Sequence, residues 1–250
     1  MKKRTTMKRW AIAISLMILG GGMSANSMGG VGDFAKEMAE RVLKPRHASW
    51  KEEVLLHDGS KIIAERHYNL GGYPGLESHN RIALDETVTF NLPNRRTIIW
   101  KSDYRDSVPE PNSLNHFRFD IVDGVPYLAT YPAGCIAYNK WDRPNPPQIL
   151  LKYENGQWKR ITLAELPPVL VGAMANVVVG MPDARIVKSF YAVEDVNAAN
   201  HDISTPEYKT ILREAVKRGT DGSSVNCPDF NSQQYRSPKA PLPMKPLPEK

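Results

Sequence analysis

The chain has 250 residues, with 33 Lys and Arg against 27 Asp and Glu, and a formal net charge of +6 at pH 7. Five of the cations lie among the first nine residues, so the rest of the chain carries 28 cations against 27 acids. A nearly neutral domain lacks the basic surface that binds phosphate backbones, which excludes nucleic acid as a partner. The sequence contains no repeat of 20–50 residues, which excludes solenoids and full propellers.

The N-terminus predicts a secretory signal peptide. A cationic start is followed by the apolar stretch Trp10 to Leu19 and by small residues, the order found in such signals. This stretch is shorter than the roughly 20 residues of a membrane-spanning helix. Ala25-Asn26-Ser27 suits signal peptidase, so we predict that residues 1–27 are removed and that the protein is exported to the periplasm or cell envelope of a bacterium. Its contact with the membrane is then limited to the signal before cleavage. An anchor that keeps its signal is the alternative.

The segment after the signal, residues 28–48, is predicted to be helical. Asp33 is a suitable N-cap, and apolar residues follow at helical spacing as far as Leu43. Residues 49–227 then alternate β-prone runs with tight turns, which predicts a β-rich globular domain.

Two features are expected towards the C-terminus. Thr205 as a cap, Pro206 at the first helical position and apolar residues at helical spacing predict a helix over 205–218. Repeated prolines among lysines predict that residues 228–250 form a proline-rich disordered tail. A more specific interpretation makes this tail a ligand for a groove on a partner.

Three Xaa-Gly turns predict β-hairpins at Asp58-Gly59, Asp123-Gly124 and Asn155-Gly156. The predicted cross-strand pairs are Val54 with Ile62, Trp50 with Arg66, Val122 with Val125, Phe119 with Leu128, Phe117 with Thr130, and Tyr153 with Trp158. In the middle hairpin these pairs predict one dry face (Phe117, Phe119, Ile121, Pro126, Leu128) and one wet face (Arg118, Asp120, Tyr127).

Two further stretches complete the predicted core. Residues 87–92 and 97–101 are expected to pair as strands. The apolar run 169–179 is expected to be a buried strand or a short helix, and the pattern does not decide between them. The predicted fold class is therefore a β-rich α+β fold, a hairpin-built antiparallel sheet or sandwich with flanking N- and C-terminal helices.

The two cysteines are expected to form a disulfide, because exported chains meet an oxidising compartment. Buried or unpaired thiols are the other possibility for Cys135 and Cys227. A competing hypothesis makes Cys135 the nucleophile of an exported hydrolase, with His116 as base and Asn139 or Asp142 as orienting group. No local signature supports such a site, which favours a protein that is not an enzyme.

No motif predicts a metal or a cofactor. The six histidines lack zinc-ligand spacing and are expected at the surface, and no phosphate-binding loop is present. We therefore expect neither a metal nor a cofactor.

The segment 135–147 is the best candidate for a binding surface. It combines aromatic residues, opposite charges and three prolines in a stiff loop, and Tyr138, Trp141 and Arg143 are residue types that anchor interfaces. In the alternative interpretation, Trp141 covers the edge of the core and the prolines protect a sheet edge.

Three segments, Trp50 to Ile63, Tyr138 to Pro147 and Pro206 to Arg213, resemble an uncharacterised family of exported or envelope proteins of proteobacteria. The resemblance implies bacterial export and a single folded unit. It implies no activity and no site residues. The expected function is an exported non-enzymatic cell-envelope protein that binds another protein or a wall component.

Overall fold

The computed structural model describes residues 46–71, 81–92, 95–105, 111–183, 186–216 and 227. The predicted signal peptide, the helix from Asp33 to Leu43 and the tail 228–250 lie outside the described residues. Within them, no helix is long and apolar enough to cross a membrane.

The described residues are strand-rich. The strands are β1 His47–Leu55, β2 Lys61–Gly71, β3 Ile82–Asn91, β4 Thr97–Lys101, β5 Leu114–Val122, β6 Val125–Pro132, β7 Ile149–Glu154, β8 Gln157–Ile161 and β9 Phe190–Tyr191. The helices are α1 Cys135–Lys140 and α2 Val193–Asn200, with 3-10 turns at Leu163–Glu165, Pro168–Leu170 and Pro206–Tyr208.

The strands form two sheets. The first has the order β4-β3-β2-β1-β9 and is antiparallel except for the short parallel pair of β1 and β9. The second has the order β5-β6-β7-β8 and is antiparallel throughout. The prediction of a β-rich fold built from hairpins is therefore confirmed.

The main apolar core joins the two sheets. Val54, Val88 and Phe90 of the first sheet pack with Phe119 and Leu151 of the second. The rings of Phe90 and Phe119 stack with centroids 3.8 Å apart. Burial of these side chains holds the sheets together, since each large apolar side chain contributes about 1.5–3 kcal/mol.

The hairpins follow the turn chemistry of the sequence. Gly124 and Gly156 adopt positive φ angles of 76° and 80°, as two-residue hairpin turns require. The confirmed pairs are Val54 with Ile62, Trp50 with Arg66, Val122 with Val125, Phe119 with Leu128, and Tyr153 with Trp158. The predicted strands at 87–92 and 97–101 also pair, from Thr87 with Lys101 to Asn91 with Thr97.

The middle hairpin departs from prediction at a β-bulge. Thr130 pairs with His116, and the register shifts between His116 and Arg118. The extra residue sends Phe117 into a second apolar cluster, away from the core that holds Phe119. The predicted pair of Phe117 with Thr130 is therefore wrong.

The predicted wet face of this hairpin is also wrong. Arg118, Asp120 and Tyr127 are all buried. The second apolar cluster, which includes Leu166, Leu170 and Ile211, covers this side of the second sheet. The hairpin pattern could not show this cover, because these residues come from distant parts of the chain.

The predicted C-terminal helix at 205–218 is wrong over its described part. Its first turn is the 3-10 turn Pro206–Tyr208, and the next residues pair with the chain around Ala173. Ile211 donates its N–H to Ala173 and accepts one from Gly172. This pairing buries Ile211 in the second cluster, so tertiary contacts override the local helical spacing.

The predicted disulfide is confirmed. Cys135, the first residue of α1, is bonded to Cys227 with an Sγ–Sγ distance of 2.07 Å. The predicted stiff loop at 135–147 thus begins as a short helix. The bond links residues 92 apart in sequence.

Replacing both cysteines, Cys135→Ser with Cys227→Ser, should lower the free energy of unfolding by up to about 4–5 kcal/mol, because the bond restricts a loop of roughly 90 residues in the unfolded chain. Urea unfolding followed by circular dichroism measures this loss. Wild-type protein with reductant is the control and should lose the same amount. A loss below about 1 kcal/mol would contradict the prediction.

Candidate functional site

The hypothesis of a Cys135 nucleophile is wrong for this structure. Cys135 is in the disulfide and has no free thiol. His116 is fully buried beside Glu86, with its Nδ1 3.0 Å from Glu86 Oε2. Asn139 donates from Nδ2 to the carbonyl of Cys135 within α1, over 2.8 Å. Cys135, His116 and Asn139 are therefore all engaged in structural contacts.

Trp141 is held inside the domain. Its side chain is 5% exposed, and its indole N–H donates to Asp103 Oδ2 over 2.9 Å. The same carboxylate forms an ion pair of 2.6 Å with Lys140. Burial lowers the pKa of Lys140, and Asp103 opposes this effect. These contacts fix the end of α1 to the chain after β4, as the alternative interpretation of Trp141 expected.

Tyr138 and Arg143 lie next to the disulfide. The guanidinium of Arg143 stacks over the Tyr138 ring at 5.0 Å, and its Nη2 donates to the carbonyl of Cys227 over 3.0 Å. Tyr138 also lines a cavity of about 100 Å³, here called the disulfide cavity. The cavity is lined by Pro132, Gly134, Cys135, Tyr138, Pro147, Tyr208 and Cys227. The binding role of Tyr138, Trp141 and Arg143 stays a prediction.

A larger cavity, of about 210 Å³, lies beside β1 and is here called the β1 cleft. It is lined by Glu53, Leu55, Leu56, Arg118, Met174, Ala175, Asn176, Val193, Val196 and Asn197. Met174 is 59% exposed and Leu55 is 37% exposed, so two apolar side chains at this cleft are open to solvent. Neither residue is among the site candidates predicted from the sequence.

One wall of the β1 cleft is formed by Met174, Ala175 and Asn176, at the start of the irregular segment 174–179. Asn176 connects this segment to both sheets. Its Nδ2 donates to the carbonyls of Leu55 in β1 and Phe119 in β5, over 2.8 and 2.7 Å. Its Oδ1 accepts from the N–H of Phe119 over 3.1 Å. The apolar run 169–179 was expected to be a buried strand or a short helix. Its regular structure is limited to the end of the 3-10 turn Pro168–Leu170 and an isolated bridge of Met174 with Thr210, and the rest is irregular.

The backbone of the rest of this segment is hydrogen-bonded to side chains instead of to a neighbouring strand. Asn200 of α2 accepts from the N–H of Val179 and donates to the carbonyl of Val177. Glu52 accepts from the N–H of Val178 over 3.0 Å, and Arg66 donates to the Val178 carbonyl over 2.7 Å. Buried backbone groups need such partners, so these side chains hold the segment that continues from the cleft wall.

Arg66 is the centre of a buried ionic cluster. Its guanidinium contacts Glu52 Oε1 at 2.9 Å and Glu86 Oε1 at 2.5 Å. Its Nη2 donates to the hydroxyl of Tyr68 over 2.6 Å, and the ring of Trp50 lies 4.9 Å from its carbon Cζ. Arg66, Glu52 and Glu86 are at most 1% exposed. The cluster therefore consists of one cation with two carboxylates inside the core of the first sheet.

The pKa values within this cluster follow from burial and from the neighbouring charges. Burial alone would lower the pKa of Arg66, but Glu86, Tyr68 and Glu52 outweigh it and raise this pKa. Burial would raise the pKa of Glu86, but Arg66 and His116 outweigh it and lower this pKa. Burial raises the pKa of Tyr68 well above its ordinary value. The arginine and Glu86 are therefore charged at neutral pH, whereas the phenol is neutral.

His116 extends the cluster to the second sheet. Burial and then the nearby Arg66 lower its pKa, and Glu86 opposes them. Its Nε2 has no hydrogen-bond partner in the described part of the chain. The neutral imidazole donates from Nδ1 to Glu86, which gives the carboxylate a donor from each sheet. The expectation that the histidines lie at the surface is therefore wrong for His116.

A further buried carboxylate, Asp120, lies in β5 next to Arg118 of the cleft. It accepts from Arg118 Nη2, and His57 Nδ1 lies 2.7 Å from its Oδ1. The N–H of His57 and that of Ile121 also donate to it. Asp120 thereby fixes the first hairpin loop to the second sheet and holds Arg118 at the cleft.

The sequence does contain a pattern that indicates these buried charged residues, namely the alternation of inward and outward positions along the strands. Strand alternation places Glu52 on the same face as Trp50 and Val54, and Arg66 on the same face as Ala64 and Tyr68. A charge at an inward position of an apolar face predicts a buried partner. The partner's identity depends on β3, on Val178 and on β5, which no local pattern specifies.

The β1 cleft combines apolar walls with the polar side chains of Glu53, Arg118, Asn176 and Asn197. The buried Nε of Arg118 has no hydrogen-bond partner among the described residues. Glu53 is paired with Lys61 at 3.0 Å and also accepts from Val193, and these contacts lower its pKa. No group of three or more potential metal ligands occurs among the described residues. Apolar surface framed by polar groups is the usual composition of a protein-binding site.

Comparison of the chain with protein-family models, curated protein sequences and solved structures gives no match.

Replacing Arg66 with methionine should lower the free energy of unfolding by about 3–5 kcal/mol, because Glu52 and Glu86 would remain buried without their cation. The matched control is Lys51→Met in the same sheet, which removes the exposed ion pair with Glu65 and should cost at most about 1 kcal/mol. Urea unfolding of both variants makes the comparison. Equal losses would show that the buried cluster does not stabilise the fold.

Stability should also fall in acid, starting near the ordinary His pKa of 6.5. The folded state lowers the pKa of His116, so the unfolded chain takes up this proton first, and each pH unit costs up to about 1.4 kcal/mol. The contribution of Glu86, whose folded pKa is also lowered, is lost only below its ordinary value of 4.5.

Urea midpoints measured between pH 8 and pH 4 test this pH dependence. The variant His116→Gln should lose the decrease between pH 6.5 and 5, since it has no proton to take up there, and should keep the decrease at lower pH. An unchanged profile in the variant would contradict the assignment to His116.

Proposed function

We propose that the chain is an exported, non-enzymatic protein of the bacterial cell envelope that binds another protein through the β1 cleft. The single observation that carries the site is the exposure of Met174 and Leu55 at an apolar cleft whose wall is fixed by buried polar contacts. Exposed apolar side chains around a cleft are typical of interaction sites.

The size of the β1 cleft favours a protein over a small molecule. Its volume of about 210 Å³ is below the roughly 300–1,000 Å³ of ordinary ligand pockets. A space of this size suits one or two side chains of a partner. Val193 and Val196 supply apolar walls, and Asn197 and Glu53 lie around them, as in an interface with an apolar centre and a polar rim.

Three features support the proposed location. The disulfide between Cys135 and Cys227 is compatible with an oxidising compartment outside the cytoplasm. The signal-like N-terminus and the resemblance to envelope proteins of proteobacteria point the same way. The alternative to binding of a protein is binding of a wall component.

We propose the β1 cleft rather than Trp141 as the contact with the partner, because the Trp141 side chain is buried, whereas the Met174 side chain is exposed to solvent.

Site-specific photo-crosslinking in living cells tests the proposal. A photo-reactive residue at position 174 should form a protein adduct of defined mass, whereas the same residue at position 169 should not. Val169 is the matched control, because it is apolar and 53% exposed but does not line the cleft.

A charge at the cleft should then weaken the contact. Met174→Glu should reduce the adduct formed from position 55 at least tenfold, which corresponds to about 1.4 kcal/mol, and Val169→Glu should leave it unchanged. Adducts of equal yield from positions 174 and 169 would contradict the cleft as binding site. An adduct with peptidoglycan fragments would show that the partner is a wall component rather than a protein.

A further inference from the structure

We propose that the disulfide cavity holds a proline ring from the chain's own C-terminal segment, residues 228–250. This inference concerns a different cavity from the β1 cleft and does not depend on the proposed function. It rests on the residues that line the cavity and on the composition of the chain that continues from one of them.

The disulfide cavity has the chemistry of a proline-binding surface. Two tyrosines, Tyr138 and Tyr208, and two prolines, Pro132 and Pro147, line it together with the disulfide. Domains that bind proline-rich segments use aromatic-lined grooves of this kind, because flat rings pack well against a preformed polyproline helix. The half-buried Tyr208 also lies 4.7 Å from the ring of Tyr131, so its ring is supported from behind.

The size of the cavity suits one small ring. Its volume of about 100 Å³ equals the liquid volume of about three water molecules. This space is too small for an ordinary ligand but sufficient for a single apolar ring. Arg143 is a charged neighbour of the cavity, and its guanidinium covers the Tyr138 ring and is hydrogen-bonded to the Cys227 carbonyl.

The proposed occupant begins at the cavity itself. Cys227 lines the cavity and is held there by its bond to Cys135 and by Arg143. The chain continues from Cys227 to Lys250, and its prolines are Pro228, Pro238, Pro241, Pro243, Pro246 and Pro248. A polyproline chain spans about 3.1 Å per residue, so the ten residues before Pro238 are enough for the segment to turn back.

Tethering makes even a weak contact effective. A short flexible connection gives an effective concentration in the millimolar range, so a site with millimolar affinity for a free peptide would be about half occupied. The segment 228–250 carries four cations, Arg236, Lys239, Lys245 and Lys250, against Asp229 and Glu249. Because Arg143 is also cationic, ionic attraction to it does not drive docking, and salt, which screens their repulsion, should not lower the docked fraction.

Intramolecular crosslinking of the full chain tests the proposal. A photo-reactive benzophenone amino acid at position 242, between Pro241 and Pro243, should attach within the same chain to residues lining the disulfide cavity. Mass spectrometry of the digested monomer band identifies the attachment point. Raising the salt from 0.05 to 0.5 M should leave the yield within about twofold.

Substitutions in the C-terminal segment and in the disulfide cavity distinguish specific docking from crosslinking that results only from proximity. Pro241→Ser with Pro243→Ser should lower the yield at least fivefold, whereas Lys239→Ser, in the same segment, should not change it. Tyr208→Ala should also lower the yield, and Tyr208→Phe, which keeps the ring, should retain it. Urea midpoints of the Tyr208 variants that equal the wild-type midpoint would show that the domain remains folded.

Three results would overturn the proposal. The first is a set of crosslinks spread over the domain without enrichment at the cavity. The second is a yield that survives the proline substitutions or falls tenfold with salt. The third is attachment mainly between two chains, which would assign the cavity to a second copy. The proposed function is tested separately by adducts at position 174, so either proposal can fail alone.

Discussion

The position of one buried arginine determines much of this structure. Moving a charged group into a protein core costs several kcal/mol unless other groups satisfy it. Arg66 meets this condition with partners from β1, β2 and β3 of the first sheet and with the Val178 carbonyl of the irregular segment 174–179. The same cluster continues through Glu86 to His116 in β5. The ionic cluster thus links β1, β2 and β3 to the segment at Val178 and to β5 through directional contacts, which apolar packing alone does not provide.

The buried cluster also holds the segment 174–179, through the hydrogen bonds of Arg66 and Glu52 to Val178. Asn176 and Asn200 supply the hydrogen bonds that a neighbouring strand would supply in a regular sheet. The backbone can therefore follow an irregular path and still be satisfied. That path leaves Met174 exposed beside β1. A regular strand here would have closed the space that we interpret as a binding cleft.

The sequence predicted those features whose causes are local. The turns at Gly124 and Gly156 and the registers beside them followed from residue types and spacing. The Cys135–Cys227 bond is not local, and it was predicted from the presence of two cysteines in a chain expected to be exported. The bulge at Phe117 and the pairing of Ile211 with Ala173 depend on contacts between distant segments, so local patterns predicted the wrong register and a helix. The candidate cleft was missed for the same reason, since its walls come from four separate parts of the chain.

The disulfide also changes what a break in the chain would do. It joins α1 to Cys227, so the intervening chain, with β7, β8, β9 and α2, belongs to one covalent ring. A single peptide bond cut anywhere between residues 135 and 227 leaves the two pieces attached to each other. In a compartment that contains proteases, a nick in the cleft wall at 174–179 would therefore not release β9 and α2, and the core could reassemble around the break.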